Sequence, residues 1–281
     1  MKPIFKMELY RLFRRWEFYI SLAIGAFFCI WLVVGSLPLL FHSMELLQGA
    51  SAMEQAYYYP PSVFEQFIIM EVMHPAAQLF YTVLPLLVVL PFATTYAEDY
   101  NSGYIKNILT RTSRKHYYVA KFCVSCISGA LVVGIVLLFS MFLTTMTMPQ
   151  LMPHPSTFTF SVDSSNYLWF ELYHNHPYLY ILWYSLIDVV FYSGLTTLAL
   201  AISSLIRNRF VALLTPIILV YSISSLLNNV GLANFAPDLI FRANQPVMHY
   251  TPMMLAGEIL LVFAVGTVVF FLSRKVDRNV V

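Results

Sequence analysis

Arg14–Arg15–Trp16–Glu17 is followed by FYISLAIGAFFCIWLVVGSLPLLF, Phe18 to Phe41, in which no residue carries a charge. About 20 apolar residues, each rising 1.5 Å, cross a bilayer core, so this run reads as a membrane helix with a basic cap at one end. The pattern recurs. Five further stretches reach or approach that length: Ala76–Ala97, Phe122–Met148, Tyr178–Ile206, Phe210–Val230 and Met253–Ser273. Each must be α-helical, because an open sheet edge has no hydrogen-bond partner in lipid. A content of 59% apolar and 11% charged residues excludes an ordinary soluble domain. The expected fold is an all-α integral membrane protein with six transmembrane helices in one domain over 1–281. The longest pieces outside the spans are Gln48–Pro75 and Pro149–Pro177, too short for a further domain.

Working outward, the bases set orientation. Lys2, Lys6, Arg11, Arg14 and Arg15 precede the first span, and Lys106, Arg111, Arg114, Lys115 and Lys121 lie between the second and third. Arg207 and Arg209 separate the fourth and fifth, Arg274, Lys275 and Arg278 follow the sixth, and only Arg242 falls on the other side. Cytoplasmic loops collect Lys and Arg, which predicts a multi-pass protein of the cell membrane with both termini cytoplasmic. Acids gather on the outer side (Glu45, Glu54, Glu65, Glu71, Asp163, Glu171, Asp238). No cleavable signal peptide is expected, since the first apolar run is too long and lacks a small-residue cleavage pattern. Cys29, Cys123 and Cys126 fall in or at the inner ends of spans, so they read as small packing residues rather than a disulfide or redox pair.

Residues 2–17 place Ile4, Phe5, Leu9, Leu12, Phe13 and Trp16 on one side of a helix and Lys6, Arg11, Arg14 and Arg15 on the other. Two readings stand: an interfacial amphipathic helix, or a charged anchor that only sets topology. Outside, Tyr57–Tyr58–Tyr59–Pro60–Pro61 and Tyr167, Trp169, Phe170, Tyr173 and Tyr178 suit an aromatic belt or the wall of an amphipathic ligand site. Glu71–His74 and Glu171–His174 have Glu-x-x-His spacing, one half of a carboxylate-bridged metal site. The other carboxylates of such a site are not evident, so no metal is expected.

Inside the membrane Asp188 lies about 15 Å below the outer surface at 1.5 Å per residue. Ser185, Asp188, Tyr192 and Thr196 step by threes and fours, a polar stripe that must face protein or water. With Glu258, early in the last span, they are candidate pathway residues; the alternative is a structural interhelical hydrogen bond. The stripe is expected to face a dimer partner or the fifth span, which offers Ser222, Ser225, Asn228 and Asn229.

The loop after the second span reads Tyr96–Ala97–Glu98–Asp99–Tyr100–Asn101–Ser102–Gly103–Tyr104–Ile105–Lys106–Asn107–Ile108–Leu109–Thr110–Arg111–Thr112–Ser113–Arg114, then Ala120–Lys121. It resembles the permease subunits of ABC transporters of the ABC-2 type, where a Glu ends the second span, then a Gly, a short amphipathic helix and a Ser-Arg pair follow, and Ala-Lys opens the third. Ser203 to Pro216 is similar to that family's fourth-to-fifth-span hairpin, and Phe5 to Leu12 to its N-terminus. The resemblance implies an elbow helix at the N-terminus and a coupling helix seated on an ATPase. Its coupling residues would be Glu98, Gly103, Tyr104, Ile105, Ile108, Arg111, Ser113 and Arg114. Tyr104, Ile105, Ile108 and Leu109 can form an apolar face for that partner.

No G-x-x-x-x-G-K-[ST] loop is present, so ATP and Mg would be bound by a separate ATPase subunit. The implied assembly has two such subunits and a homodimer or heterodimer of permeases in lipid, with no nucleic acid. The leading function is the membrane half of an ATP-driven exporter of an amphipathic cargo: a peptide, antibiotic or lipid. The alternatives are a ligand-binding sensory or structural membrane protein, and an intramembrane enzyme, for which Asp188 and Glu258 lack a histidine partner at their depth.

Overall fold

The computed structural model describes residues 2–51, 60–153, 162 and 165–276, with the side chains of 274–276 left aside. Tyr57–Tyr58–Tyr59, Glu54, His154, Asp163 and Arg278 lie outside the described residues. The described chain is helical and contains no strand. Five helices are long and apolar enough to cross a membrane: α2 (Trp16–Gly49), α7 (Arg114–Thr147), α9 (Pro177–Ile206), α10 (Arg209–Asn229) and α11 (Pro252–Val276). They are preceded or joined by α1 (Lys2–Arg14), α3 (Val63–Gln66), α4 (Pro75–Val89), α5 (Thr95–Asn101), α6 (Tyr104–Leu109) and α8 (Phe170–Asn175). That is the pattern of a multi-pass membrane protein.

The expected second span, 76–97, departs from this pattern. Its apolar helix α4 ends at Val89, and the chain passes through a turn before α5 begins at Thr95. Pro91 explains the break, having no N–H for the Leu87 carbonyl and a ring that crowds that turn. By length and composition α4 falls short of a full crossing.

Helix α9 is the centre of the bundle, packed on α7 and α11 and also touching α4, α5 and α10. Helix α2 completes the layer against α7 and α4. Two glycines permit the closest approaches. A Cβ on Gly129 of α7 would sit 3.2 Å from the Ser193 Cα, and one on Gly266 of α11 would sit 3.1 Å from the Leu198 backbone nitrogen. Small residues at a crossing let membrane helices gain dispersion contact that larger ones forbid. Across the α7–α9 seam Ser125 Oγ donates to the Thr196 carbonyl at 3.2 Å and Thr196 Oγ1 to the Ser125 carbonyl at 2.8 Å.

Two of the connections between the long helices are folded into the bundle. Every residue from Pro60 to Met70 is buried. Gln66 bonds Ser36 of α2, the Ile68 amide donates to Ser140 Oγ of α7 (3.4 Å), and the Phe64 ring meets Tyr178 at 4.8 Å. The segment after α10 buries Ala236, Ile240, Phe241, Ala243, Asn244 and Gln245. Gln245 Nε2 donates to the Leu168 carbonyl, and Tyr180 Oη donates to the Ala243 carbonyl at 2.6 Å. Irregular backbone survives at such depth only where protein supplies its partners.

Candidate functional site

At the end of the bundle that carries the bases, α5 is gripped by four other elements. Lys121, fully buried two turns into α7, places Nζ 2.7 Å from Asp99, 3.0 Å from Glu8 and 3.0 Å from Thr95 Oγ1. Arg11 of α1 reaches the same Asp99 with both terminal nitrogens, at 2.6 and 3.2 Å, and Glu8 at 3.2 Å. Tyr117 Oη donates to Asp99 at 2.9 Å. Arg15, just before α2, pairs Glu98 at 2.7 and 3.0 Å and Glu17 at 2.9 Å. Burial opposes the Asp99 charge, yet Lys121 and Arg11 hold its carboxyl below the usual carboxylate range. Burial likewise opposes ionisation of Glu98, and Arg15 holds it low. From the α9–α10 junction, Arg207 stacks on Tyr100 at 3.7 Å, and its carbonyl accepts from Asn101 Nδ2 at 3.1 Å.

Helix α6 hangs directly from this clamp. Gly103 makes the junction in a left-handed conformation, φ 72°, which a residue with a Cβ adopts only under strain. Tyr104 is half-buried under the Arg11 guanidinium, 4.9 Å from its ring centroid. Ile105 and Ile108 are buried inside this chain rather than offered to a partner, so the apolar face expected to dock is used for self-packing. The face left open carries Lys106, Asn107, Thr110 and Arg111. Beside it α1 and α6 enclose a groove of about 540 Å³ lined by Pro3, Ile4, Met7, Tyr104, Asn107, Ile108 and Arg111. Ser113 caps α7 by position and is exposed, with Arg114 half-buried beside it.

Glu98 is legible in the sequence as part of this site, whereas Glu8, Asp99, Tyr117 and Lys121 join it only through the fold. A lysine two turns into an apolar helix demands an acid, and besides Glu98 that side offers Glu8, Glu17, Asp99 and Asp277, so the sequence narrows its partners without selecting them. Burial of Glu8 also turns α1: the inward face is Ile4, Glu8 and Leu12, while Phe13 and Trp16, expected on the apolar side, are exposed.

The intramembrane stripe on α9 does not act as one surface. Ser185 lines an apolar groove of about 350 Å³ beside α7, and Thr196 is bonded into the α7–α9 seam. Asp188, 1% exposed, accepts from Tyr81 Oη of α4 at 3.3 Å, and its other oxygen has no partner among the described residues. Arg242, the one base on the acidic side, lies 5.1 Å from the Tyr81 ring centroid and within electrostatic reach of Asp188 and buried Tyr192. Asp188 therefore faces α4 and the largely buried 236–245 segment, leaving Ser222, Ser225, Asn228 and Asn229 of α10 exposed. The reason is charge: a carboxyl at that depth is drawn to a phenol and a guanidinium before a row of neutral side chains.

No family model, curated protein or solved structure matches this chain.

Of the two Glu-x-x-His pairs, Glu71–His74 serves local backbone and the second contributes only His174 to it. Glu71 accepts from the Met73 and His74 amides, and His74 Nδ1 caps α4 by accepting from Ala76 at 3.1 Å. Glu171 lies in the first turn of α8, and His174 Nδ1 sits 3.1 Å from the Phe170 carbonyl. Among the described residues no group of three or more His, Cys, Asp or Glu is placed to hold a metal ion. Glu258, half-buried on α11, borders a cavity of about 430 Å³ between α9, α10 and α11.

Proposed function

We propose that this chain is the permease subunit of an ATP-driven ABC exporter of the ABC-2 type, forming half of a translocation pathway in the cell membrane. In this reading α4 and the turn before α5 make a sixth span, both termini are cytoplasmic, α1 is the elbow helix and α6 the coupling helix. The pathway carries an amphipathic cargo such as a peptide, antibiotic or lipid. A second permease copy or a similar chain completes it, and two ATPase subunits bind ATP and Mg.

The observation that carries the reading is the clamp beneath α6. A solvated loop has no use for a largely buried network of four charged groups, Glu8, Arg11, Asp99 and Lys121, completed by the Tyr117 hydroxyl, that ties α1, α5 and α7 together. A lever does. Force applied to the exposed face of α6 passes through Gly103 into α5 and from there into α7 through Lys121 and into the α9–α10 junction through Arg207. Because the apolar side of α6 is committed inward, the docking contacts in this reading are Lys106, Asn107, Thr110 and Arg111, together with the groove shared with α1. Lys and Arg on that face suit acidic groups on the partner.

The test is co-purification in mild detergent. The wild-type chain is expected to bring with it a MgATP-hydrolysing subunit, and Lys106→Glu with Arg111→Glu is expected to release that subunit while the permease stays folded. Retention of the ATPase by the doubly reversed variant places docking elsewhere; absence of any nucleotide-hydrolysing partner from the wild type contradicts the reading.

A further inference from the structure

The cavity between α9, α10 and α11 combines an apolar wall with a single titratable group. Phe191, Leu195, Leu219, Ile223, Leu227 and Leu261 are among its lining residues, and Glu258 is the only charged one. With Ile223 and Leu261 both partly open to the outside, the cavity opens sideways, toward the surface that lipid would cover. Glu258 lies six residues into α11, about 9 Å along its axis at 1.5 Å per residue. No ion pair among the described residues involves it, and its Oε1 is buried without a hydrogen-bond partner.

The surroundings add acceptors rather than cations. Pro237 lines the cavity, and the adjacent Asp238 has a buried Oδ1 without a partner. Tyr250 lies within electrostatic reach of both acids, and its buried hydroxyl lies against the Val247 backbone. The nearest base, Arg242, is turned away: its Nε donates to the Asp238 carbonyl at 2.9 Å and its guanidinium lies over Tyr81. A carboxyl with no counter-charge at the mouth of an apolar cavity is costly to keep ionised in a membrane protein, so it either takes up a proton or is matched by something positive in the cavity. A plain lipid tail would satisfy the wall and leave the acid unmatched.

We infer that this cavity binds an amphipathic cation, its apolar body against Leu219, Ile223, Leu227 and Leu261 and its positive group on Glu258. The inference rests on the exporter reading in one respect only, that the bound molecule is cargo; the binding itself needs neither ATP nor a partner. It narrows the cargo to molecules carrying a positive charge beside an apolar body that fits a cavity of about 430 Å³.

The experiment measures scintillation-proximity binding of tritiated tetraphenylphosphonium to the purified permease without ATPase or nucleotide. Saturable binding is expected, and Glu258→Gln should weaken it by roughly ten- to a hundredfold, the loss of one charge-assisted contact. Glu258→Asp should retain saturable binding, and Ile223→Trp, which fills the cavity from its open side, should remove it with Glu258 intact. Each variant is first matched to the wild type in thermal unfolding. Tetraphenylborate, of the same shape and opposite charge, and dodecanol should fail to compete. Equal binding by the Gln variant, or competition by either compound, overturns the inference and leaves a lipid slot. Captured ATPase with no cation binding removes the cargo class and leaves the exporter reading; cation binding with no ATPase does the reverse.

Discussion

Replacing Lys121 with Met removes the ammonium and keeps the length and much of the volume of the side chain, so its effect isolates charge. The ammonium is fully buried and lies within 3.0 Å of Glu8, Asp99 and Thr95. Deleting one partner of a buried ion pair costs about 3–5 kcal/mol because the remaining charge is orphaned in a poor solvent. Here Arg11 still reaches both acids and Tyr117 still reaches Asp99, which puts the estimate at the lower end, about 3 kcal/mol. That energy is roughly a hundredfold in the population of molecules whose α1 has come away from α7. Leu12 reports it, since it is fully buried on the inward face of α1. With Cys29, Cys123 and Cys126 replaced, a cysteine at Leu12 should react with N-ethylmaleimide up to roughly a hundredfold faster in the Lys121→Met background. Adding Glu8→Leu removes one orphaned acid and should recover a large part of the protection, because exchanging a whole buried pair for apolar groups is often neutral. A labelling rate unchanged by Lys121→Met, or a double variant worse than the single, refutes the claim that this network holds α1 in place.

Three further outcomes are expected. Burial pushes the Glu65 carboxyl up from its ordinary value of 4.5 to about 7. A raised acid contributes stability that is full below the ordinary value and is lost as pH climbs through the folded one. Thermal stability should therefore fall between about pH 4.5 and 7, by an amount on the order of 3 kcal/mol, and Glu65→Gln should flatten that slope relative to the wild type. Gly266→Ala should destabilise by about 1–3 kcal/mol, because the new methyl meets backbone, whereas Gly257→Ala, with nothing within 4 Å, should not. Asp188→Asn should keep assembly and basal ATP hydrolysis, since the amide oxygen still accepts from Tyr81, and reduce cargo-stimulated hydrolysis. Asp188→Leu should damage assembly instead. Normal cargo stimulation in the Asn variant retires the pathway role of this carboxyl.

What could be read from the chain was governed by period and charge. The runs at 18–41, 122–148, 178–206, 210–230 and 253–273 each fall on a long helix, because an uninterrupted apolar run of that length has one way to satisfy its backbone. The 76–97 run shows the limit of that rule, since hydropathy averaged over a window does not register the lost amide of Pro91. Residues 60–70 and 236–245 carry no sustained helical or strand period, and their burial depends on side-chain partners distant in sequence, such as Gln66 with Ser36 and Tyr180 with Ala243. The candidate site was half visible. Its loop was identified through Glu98 and Gly103, but an amphipathic pattern says only that one face is apolar, not whether a partner or the chain itself covers it. Ile105 and Ile108 turned out to face inward. Glu8 was grouped with neither side of α1, and only the position of Lys121 in space explains why an acid is buried there.

The most direct test of the account asks what touches α6. A photo-reactive residue at Asn107, exposed beside the groove between α1 and α6, should crosslink in native membranes to a polypeptide that binds ATP. The same probe at Met73, exposed at the opposite end of the bundle, should not. An ATP-binding adduct at Asn107 alone is the predicted result. Adducts only to lipid at Asn107, or the same polypeptide captured at both positions, would contradict the reading of α6 as the point where an ATPase drives this protein.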